Sequence, residues 1–435
     1  MNQPKEFAFY ARRNLFIFTV TRLISELGSS IFKFALSLYI LDITGSATVF
    51  SMVLSLSILP GVFVNIFAGV VIDRSNKKKV LVLTEILSGI ALLIFLPIFL
   101  LDSTNVMLLA VFSVILSLIQ SFTFLTLNAS IPNLVERENV HSVNSSYQSI
   151  GAIINVLGPI LGAITYRAWG LETIVMINGI TFISAGLMQL WLQFRKSDEQ
   201  TVSSSYLDSV KDVFAYINKQ KAIMYLLVIF VGINFMLAPL VQVVLPFVTY
   251  QELQLSAQQL SVIQGAWFVG VIAGAIVVSR RKIHQFVITK IFILFQLQAI
   301  LFLTWCFPLL FPSTAGSLIQ MTFIFMMILA VTGFFNSMSN VPMISYVQLY
   351  TPEHIRAGVF GVISSITMLA TPLGIGLYGI LLDRIHWVYL PLVSGIVALV
   401  MGIMAHKNKA LRNFFSQNAE PVLNSVGEKE RVSAL

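Results

Sequence analysis

Charge is scarce in this sequence. Asp, Glu, Lys and Arg make up 11% of its 435 residues, less than half the roughly 25% of an ordinary soluble chain. Cysteine is scarcer: Cys306 stands alone, which excludes an intramolecular disulfide, and a lone cysteine in an apolar run behaves as a small hydrophobe. The histidines do not gather either. His141, His284, His354, His386 and His406 all fall at the ends of apolar runs. No His-Glu-x-x-His and no pair of aspartates lies inside a run, so a membrane-embedded enzyme has nothing to work with. A glycine-rich loop closing on Lys-Ser/Thr is also missing, and with it the phosphate cradle of an ATP-driven pump.

What fills the sequence instead is apolar. Hydrophobic residues make up 57% and the mean hydropathy is +0.87. They come in runs of about 20 residues separated by short polar breaks, the length a helix needs to cross a bilayer. The pattern predicts an all-α membrane protein of twelve spans in two six-helix halves. The first half runs Asn14–Leu41, Ala47–Ile72, Val80–Leu101, Val106–Leu127, Ser142–Tyr166 and Leu171–Phe194. The second runs Ala222–Val248, Gln258–Ser279, Gln285–Leu310, Gly316–Ser339, His354–Leu382 and Val388–Ala405. The leading "MNQPKEFAFYARR" has no small-residue cleavage site behind an apolar core, so the first run reads as a span rather than a removed signal.

The net charge of +8 is spread over many short loops, which argues against a nucleic-acid partner. It sorts by side. With the amino terminus in the cytoplasm, that side holds Lys5, Arg12, Arg13, the Arg74–Lys79 cluster, Arg137, Arg195, Lys211, Arg280, Lys290, Arg356 and the basic tail. The other side holds Arg167 and Arg384. Both termini are therefore expected in the cytoplasm, in a cell (plasma) membrane. Cysteines placed at Lys78 and Lys211 should react only with reagents that reach the cytoplasm; labelling of either from outside intact cells would overturn this map.

The longest internal polar stretch, "RKSDEQTVSSSYLDSVKDVFAYINKQK", divides the chain. The reading is an amino-terminal half at 1–194, a linker at 195–221, a carboxy-terminal half at 222–406 and a cytoplasmic tail at 407–435. In the linker Ser205 and Asp208 make a capping-box pattern. Leu207, Val210, Phe214 and Ile217 recur at helical spacing, so a short amphipathic surface helix is expected. The tail is expected to be mobile. A weak repeat, laying Gly158-Pro159 over Thr371-Pro372, relates the halves.

The loop after the second span reads "GVVIDRSNKKKV". Gly69, Asp73, Arg74, Lys77, Lys78 and Lys79 resemble the loop motif of the major facilitator superfamily. Gly69 would let a neighbouring helix approach. Asp73 would sit at the positive amino end of the eleventh span, where Arg356 also lies, and bias one of two rocking states. The blander reading is a loop simply anchored by its positive charges. A degenerate counterpart at Gly274–Lys282 lacks the acidic residue.

In the fifth span "NVLGPILGA" resembles the Gly-Pro motif of facilitator antiporters, through Gly158, Pro159 and Gly162. Ile154 and Ala163 stand where that motif has glycine. A Gly-Pro pair most simply supplies a kink and close packing. Together with "DITGSATVFSMVLSLSILPGVF" and "LNASIPNLVERENVHSVNSSYQS", these residues resemble the macrolide-efflux (Mef-type) branch. The resemblance implies efflux of an amphipathic small molecule, such as a macrolide, by a monomer among membrane lipids. It implies no cofactor and a proton gradient as driving force. Against the pattern of many drug/proton antiporters, the fourth span carries no arginine. The alternative is a facilitator-type transporter of a physiological metabolite, a siderophore or lipid-like molecule.

One span breaks the apolar rule. In "TRLISELGSSIFKF", Arg22, Glu26, Ser29 and Lys33 fall on one helix face. A charge at mid-bilayer costs about 2.5–3.5 kcal/mol even on the lenient scale, so this face turns away from lipid. Either Arg22 and Glu26 are a structural pair, or Glu26 exchanges a proton with the substrate. Overlay of the halves sets Asn234 of the seventh span opposite Glu26, with Pro239 placed to interrupt that helix. Glu85 is expected to partner the basic cytoplasmic loop. Gln120, Asn128, Asn155, Asn336 and Asn340 either line the path or bond helix to helix.

Overall fold

Every described element of the computed structural model is a helix, with no strand among the described residues. The structure describes residues 3–73, 75–135, 140–194, 206–280, 283, 286–288, 290–310 and 315–417, some of them by backbone alone. The helices are α1 Gln3–Thr44, α2 Ala47–Asp73, α3 Lys77–Leu101, α4 Val106–Leu134 and α5 Val140–Gln189. There follow α6 Tyr206–Lys219, α7 Lys221–Pro239, α8 Ala257–Val278 and α9 Ile291–Leu303. The last are α10 Ala315–Tyr350, α11 Glu353–Leu382, α12 Tyr389–Lys407 and α13 Lys409–Gln417.

Among the described residues ten helices are long and apolar enough to cross a membrane, and Ile291–Phe307 is a shorter apolar one. One of the ten, Ile153–Gln189, has 37 residues, about 55 Å of helix against a hydrocarbon core of about 30 Å. It breaks inside, at Gly170, whose φ of 72° and ψ of 176° no helix contains. Only glycine adopts such a conformation freely, so the chain turns there, where the sequence placed the boundary of the fifth and sixth spans.

The chain forms two compact units. The first comprises Met1–Thr201, Leu245–Gly265 and Ile375–Arg384. In it α1 and α3 each lie along α5, and α2 lies along α4. An aromatic stack joins α1, α3 and α4: the Phe95 and Phe112 rings are 3.9 Å apart, and Phe32 meets Phe112 edge-on at 6.2 Å. The second unit comprises Val202–Val244, Ala266–Gly374 and Ile385–Leu435. There α9 packs on α10 and α12, and Ile223, Phe230, Phe292, Met343 and Tyr346 form much of the core. Large apolar side chains such as Leu101, Met107, Phe323 and Met404 are exposed, as lipid-facing residues should be.

Three expectations change. The surface helix α6 exists, but its buried face carries Val213 and Ile217 while Phe214 is exposed; Gly358 leaves the room Val213 fills. Ser205 lies outside the described residues, and so do the Leu207, Asp208 and Val210 side chains. The tail is not wholly unstructured. Leu411 and Phe415, one turn apart on α13, are buried in the second core, where Phe415 meets the Phe292 ring at 5.7 Å. Their i, i+4 spacing is too short a repeat to stand out in a polar stretch. Residues 418–435 lie outside the described residues. Finally, the tenth span runs 36 residues to Tyr350, past the expected end at Ser339.

Pro239 does end its helix. α7 stops there and the chain continues in wide turns at Leu240–Val244 and Phe247–Glu252. Proline lacks the N–H that would bond four residues back, and a π-type turn accommodates the loss.

Candidate polar site in the first unit

Arg22 and Glu26 meet one turn apart on α1, with Arg22 Nε donating to Glu26 Oε1 at 2.7 Å. The two ends of the pair differ in access: the Arg22 side chain is 4% exposed and that of Glu26 29%. Room for the guanidinium comes from α5, because Arg22 Nη2 lies 3.3 Å from where a Cβ on Gly151 would stand. Further along the stripe, Ser29 Oγ donates to the Ser25 carbonyl and accepts from Gln120 Nε2 of α4 at 3.3 Å. Lys33 is exposed.

Behind the stripe sits Glu85 of α3. Its carboxyl is 1% exposed. Ser25 Oγ donates to Oε2 at 3.0 Å, and Gln189 Nε2 reaches Oε1 at 3.5 Å. These neutral partners replace the loop cation expected for it. Eight residues into α3 the side chain is too deep to reach the loop, and it turns to α1 and α5 instead. Ser25 thus joins two carboxyls: it is hydrogen-bonded to Glu85 and immediately precedes Glu26. Buried atoms nearby, Ser88 Oγ, both polar atoms of Asn178, and Gln189 Oε1, find no protein partner among the described residues. Such groups normally hold water.

The Gly-Pro motif faces this helix. A Cβ on Gly158 would run into Ser30 Oγ, and one on Gly162 would sit 3.1 Å from the Ile31 carbonyl and from Phe34. Gly158 and Gly162 therefore hold α5 close against the charged span, with Pro159 inside the same helix.

The other expected residues are scattered. Asn234 bonds back to the Phe230 carbonyl of its own helix at 2.9 Å. Lys77 donates to the Ala129 carbonyl and to Asn133 Oδ1, at 3.1 and 3.2 Å, which ties the loop to α4. Lys78 is half-buried. Arg356 Nε donates to the Thr351 carbonyl at 3.2 Å. Arg74, the surroundings of Gly69 and the side chain of Asp73 lie outside the described residues. Asn340 and Asn336 bond each other along α10 at 3.4 Å, while Asn128 bonds back to Phe124. Asn155 is exposed. Asn178 and Gln189 were missed, because a single amide in an apolar run carries no pattern.

The family model of the Major Facilitator Superfamily matches residues 18–327. Macrolide efflux protein A of Streptococcus pyogenes is 23% identical over 394 residues, 88% of this chain and 92% of that protein. Multidrug efflux pump Tap of Mycobacterium tuberculosis (strain ATCC 25618 / H37Rv) is 23% identical over 411 residues, 91% of this chain and 94% of that one. Among solved structures, a bacterial homologue of the iron transporter ferroportin in its inward-facing state superposes with a TM-score of 0.67 at 17% identity, over 91% of this chain and 99% of that one. The nucleoside transporter NupG gives 0.64 at 16% identity, over 93% and 99%. At these identities the structures speak for the fold alone.

Proposed function

We propose that this chain, which belongs to the Major Facilitator Superfamily and is a multi-pass membrane transporter, is a proton-coupled exporter of amphipathic small molecules such as macrolides, working in the cell membrane. The observation that carries the coupling is the Arg22–Glu26 pair, charged and inside a span, with its carboxylate partly open. Ionisable groups within membrane spans are costly and mark ion or substrate pathways. The relatives named as macrolide and multidrug efflux pumps support the substrate class.

Access decides which carboxyl does the exchanging. Glu26 is reachable and Glu85 is sealed, so Glu26 is the group that meets water and substrate. A proton arriving on Glu26 frees Arg22 from its partner and lets the helix face change its contacts. Loss of that proton restores the pair. In this scheme Glu85 holds Ser25, and through it the backbone beside Glu26.

The gate is expected at Asp73. Asp73→Asn should lose transport while expression and substrate binding persist, because the residue biases states rather than touching ligand. Transport at the unmodified rate would reduce the loop to an anchor. The export reading itself is tested in proteoliposomes, by gradient-dependent flux of cationic, neutral and anionic amphiphiles. Flux of amphiphilic cations or macrolides that stops when the pH gradient is collapsed supports it. Flux that ignores the gradient, or is confined to a hydrophilic metabolite, contradicts it.

A further inference from the structure

The hexapeptide "GVVIDR" at 69–74 has a second copy. Residues 379–384 read "GILLDR", again glycine, three aliphatic residues, Asp and Arg. The first copy closes α2, and the second closes α11 and runs two residues beyond it. The first unit contains the amino end of α2 together with Ile375–Arg384, and there the second copy is engaged.

Asp383 caps α2. Its Oδ1 accepts from the Ala47 N–H at 3.0 Å, and its Oδ2 accepts from the Thr48 N–H at 3.0 Å and from Ser46 Oγ at 2.7 Å. The first N–H groups of a helix lack internal partners and carry the positive end of its dipole, so a carboxylate there is doubly matched. Gly379 makes the approach possible. Thr48 Oγ1 donates to its carbonyl at 3.2 Å, and a Cβ on it would overlap Ser51 and stand 2.8 Å from the Ala47 carbonyl. Burial works to raise the Asp383 carboxyl, but hydrogen bonds from Ser46, Thr48 and Ala47 outweigh it and hold the group below the ordinary carboxylate range. Two more hydrogen bonds tie this end of the unit: Gln251 Nε2 donates to the Leu41 carbonyl at 2.8 Å, and Tyr166 Oη to Asp42 Oδ2 at 2.7 Å.

We infer that Gly379 and Asp383 form a latch on the amino end of α2, closed in this structure, which must open when the transporter exposes that end of its path. The latch and the Asp73 loop lie at opposite ends of α2. They use the same Gly-x-x-x-Asp-Arg signature at the carboxyl ends of two helices, as the parallel repeat of the two facilitator halves combined with the inverted repeat nested within each would produce. The latch requires only that the chain alternate between two states, and it is independent of the substrate and of the coupling ion.

A single cysteine tests it without substrate. Ser55 of α2 is 7% exposed, one turn deeper than Ser51 on the same face, and lies opposite Gly376. In a Cys306→Ala background, Ser55→Cys is labelled with a membrane-impermeant maleimide on intact cells. Labelling is normalised to the protein that reacts after denaturation, so that misfolded material is not scored. Asp383→Ala removes the carboxylate and Gly379→Ala forces the helices apart, two independent routes to an open latch. Asp383→Ala is expected to raise the labelling rate about fivefold, the shift given by losing one helix cap, and Gly379→Ala should raise it as well. Asp73→Asn, at the other end, should not raise it. Unchanged rates in both Asp383→Ala and Gly379→Ala would overturn the inference, and so would equal acceleration by Asp73→Asn.

Discussion

Glu26→Gln is expected to abolish uphill export while leaving downhill exchange or substrate binding in place. The substitution keeps the size and hydrogen bonding of the side chain and removes its charge and its titration. Two effects compete. If Arg22–Glu26 is only a structural pair, the change strips a buried guanidinium, 4% exposed, of its anionic partner. Breaking a buried pair costs about 3–5 kcal/mol, so yield and thermal stability should fall before transport chemistry is felt. If Glu26 carries the proton, the folded protein should persist and coupling should vanish. The double change Arg22→Gln with Glu26→Gln separates the two. Removing both charges leaves no charge unpaired in either case, but should restore uphill, pH-dependent export only if the pair is scaffolding. Recovery of coupled export in the double mutant would remove Glu26 from the mechanism.

The second large effect is expected at Gly158. Its backbone meets α1 at Ser30, where any Cβ would collide with the serine side chain. Gly158→Ala should therefore push α5 from the span that carries Arg22 and Glu26. Overpacking of this kind costs about 1–3 kcal/mol, and the wedge lies one turn from Glu26, so export should fall along with thermal stability. The cause is steric and so is the cure. Adding Ser30→Gly removes both side-chain atoms in the way and should return most of the stability and export. A Gly158→Ala protein as stable and active as the unmodified one would mean that only the Pro159 kink matters there.

Much of this was legible in the chain. Spans are set by bilayer thickness, so runs of about 20 apolar residues declare themselves. The charged stripe stood out because Arg, Glu and Lys inside such a run have no lipid-facing solution. Pro239 announced the end of α7 through its missing N–H. What stayed hidden depends on packing across the chain. Glu85 looked like a loop partner because depth along α3 was all the sequence offered. Its true neighbours, Ser25 and Gln189, are 60 and 104 residues away. Phe214 was placed on the buried face of α6 by spacing alone, whereas the room beside Gly358 is filled by Val213. Asp383 sat in plain view within a repeat of the Asp73 hexapeptide, but its capping of α2, more than 300 residues upstream, is tertiary.

The most direct measurement is proton release on substrate binding. Purified protein in detergent and weak buffer is mixed with erythromycin, a macrolide, and the pH is followed. The account predicts a release of protons that saturates with ligand and is lost in Glu26→Gln, whose binding of erythromycin persists. It is retained in Asp73→Asn, which gates but does not titrate with substrate. Equal proton release from Glu26→Gln and from the unmodified protein would contradict the account.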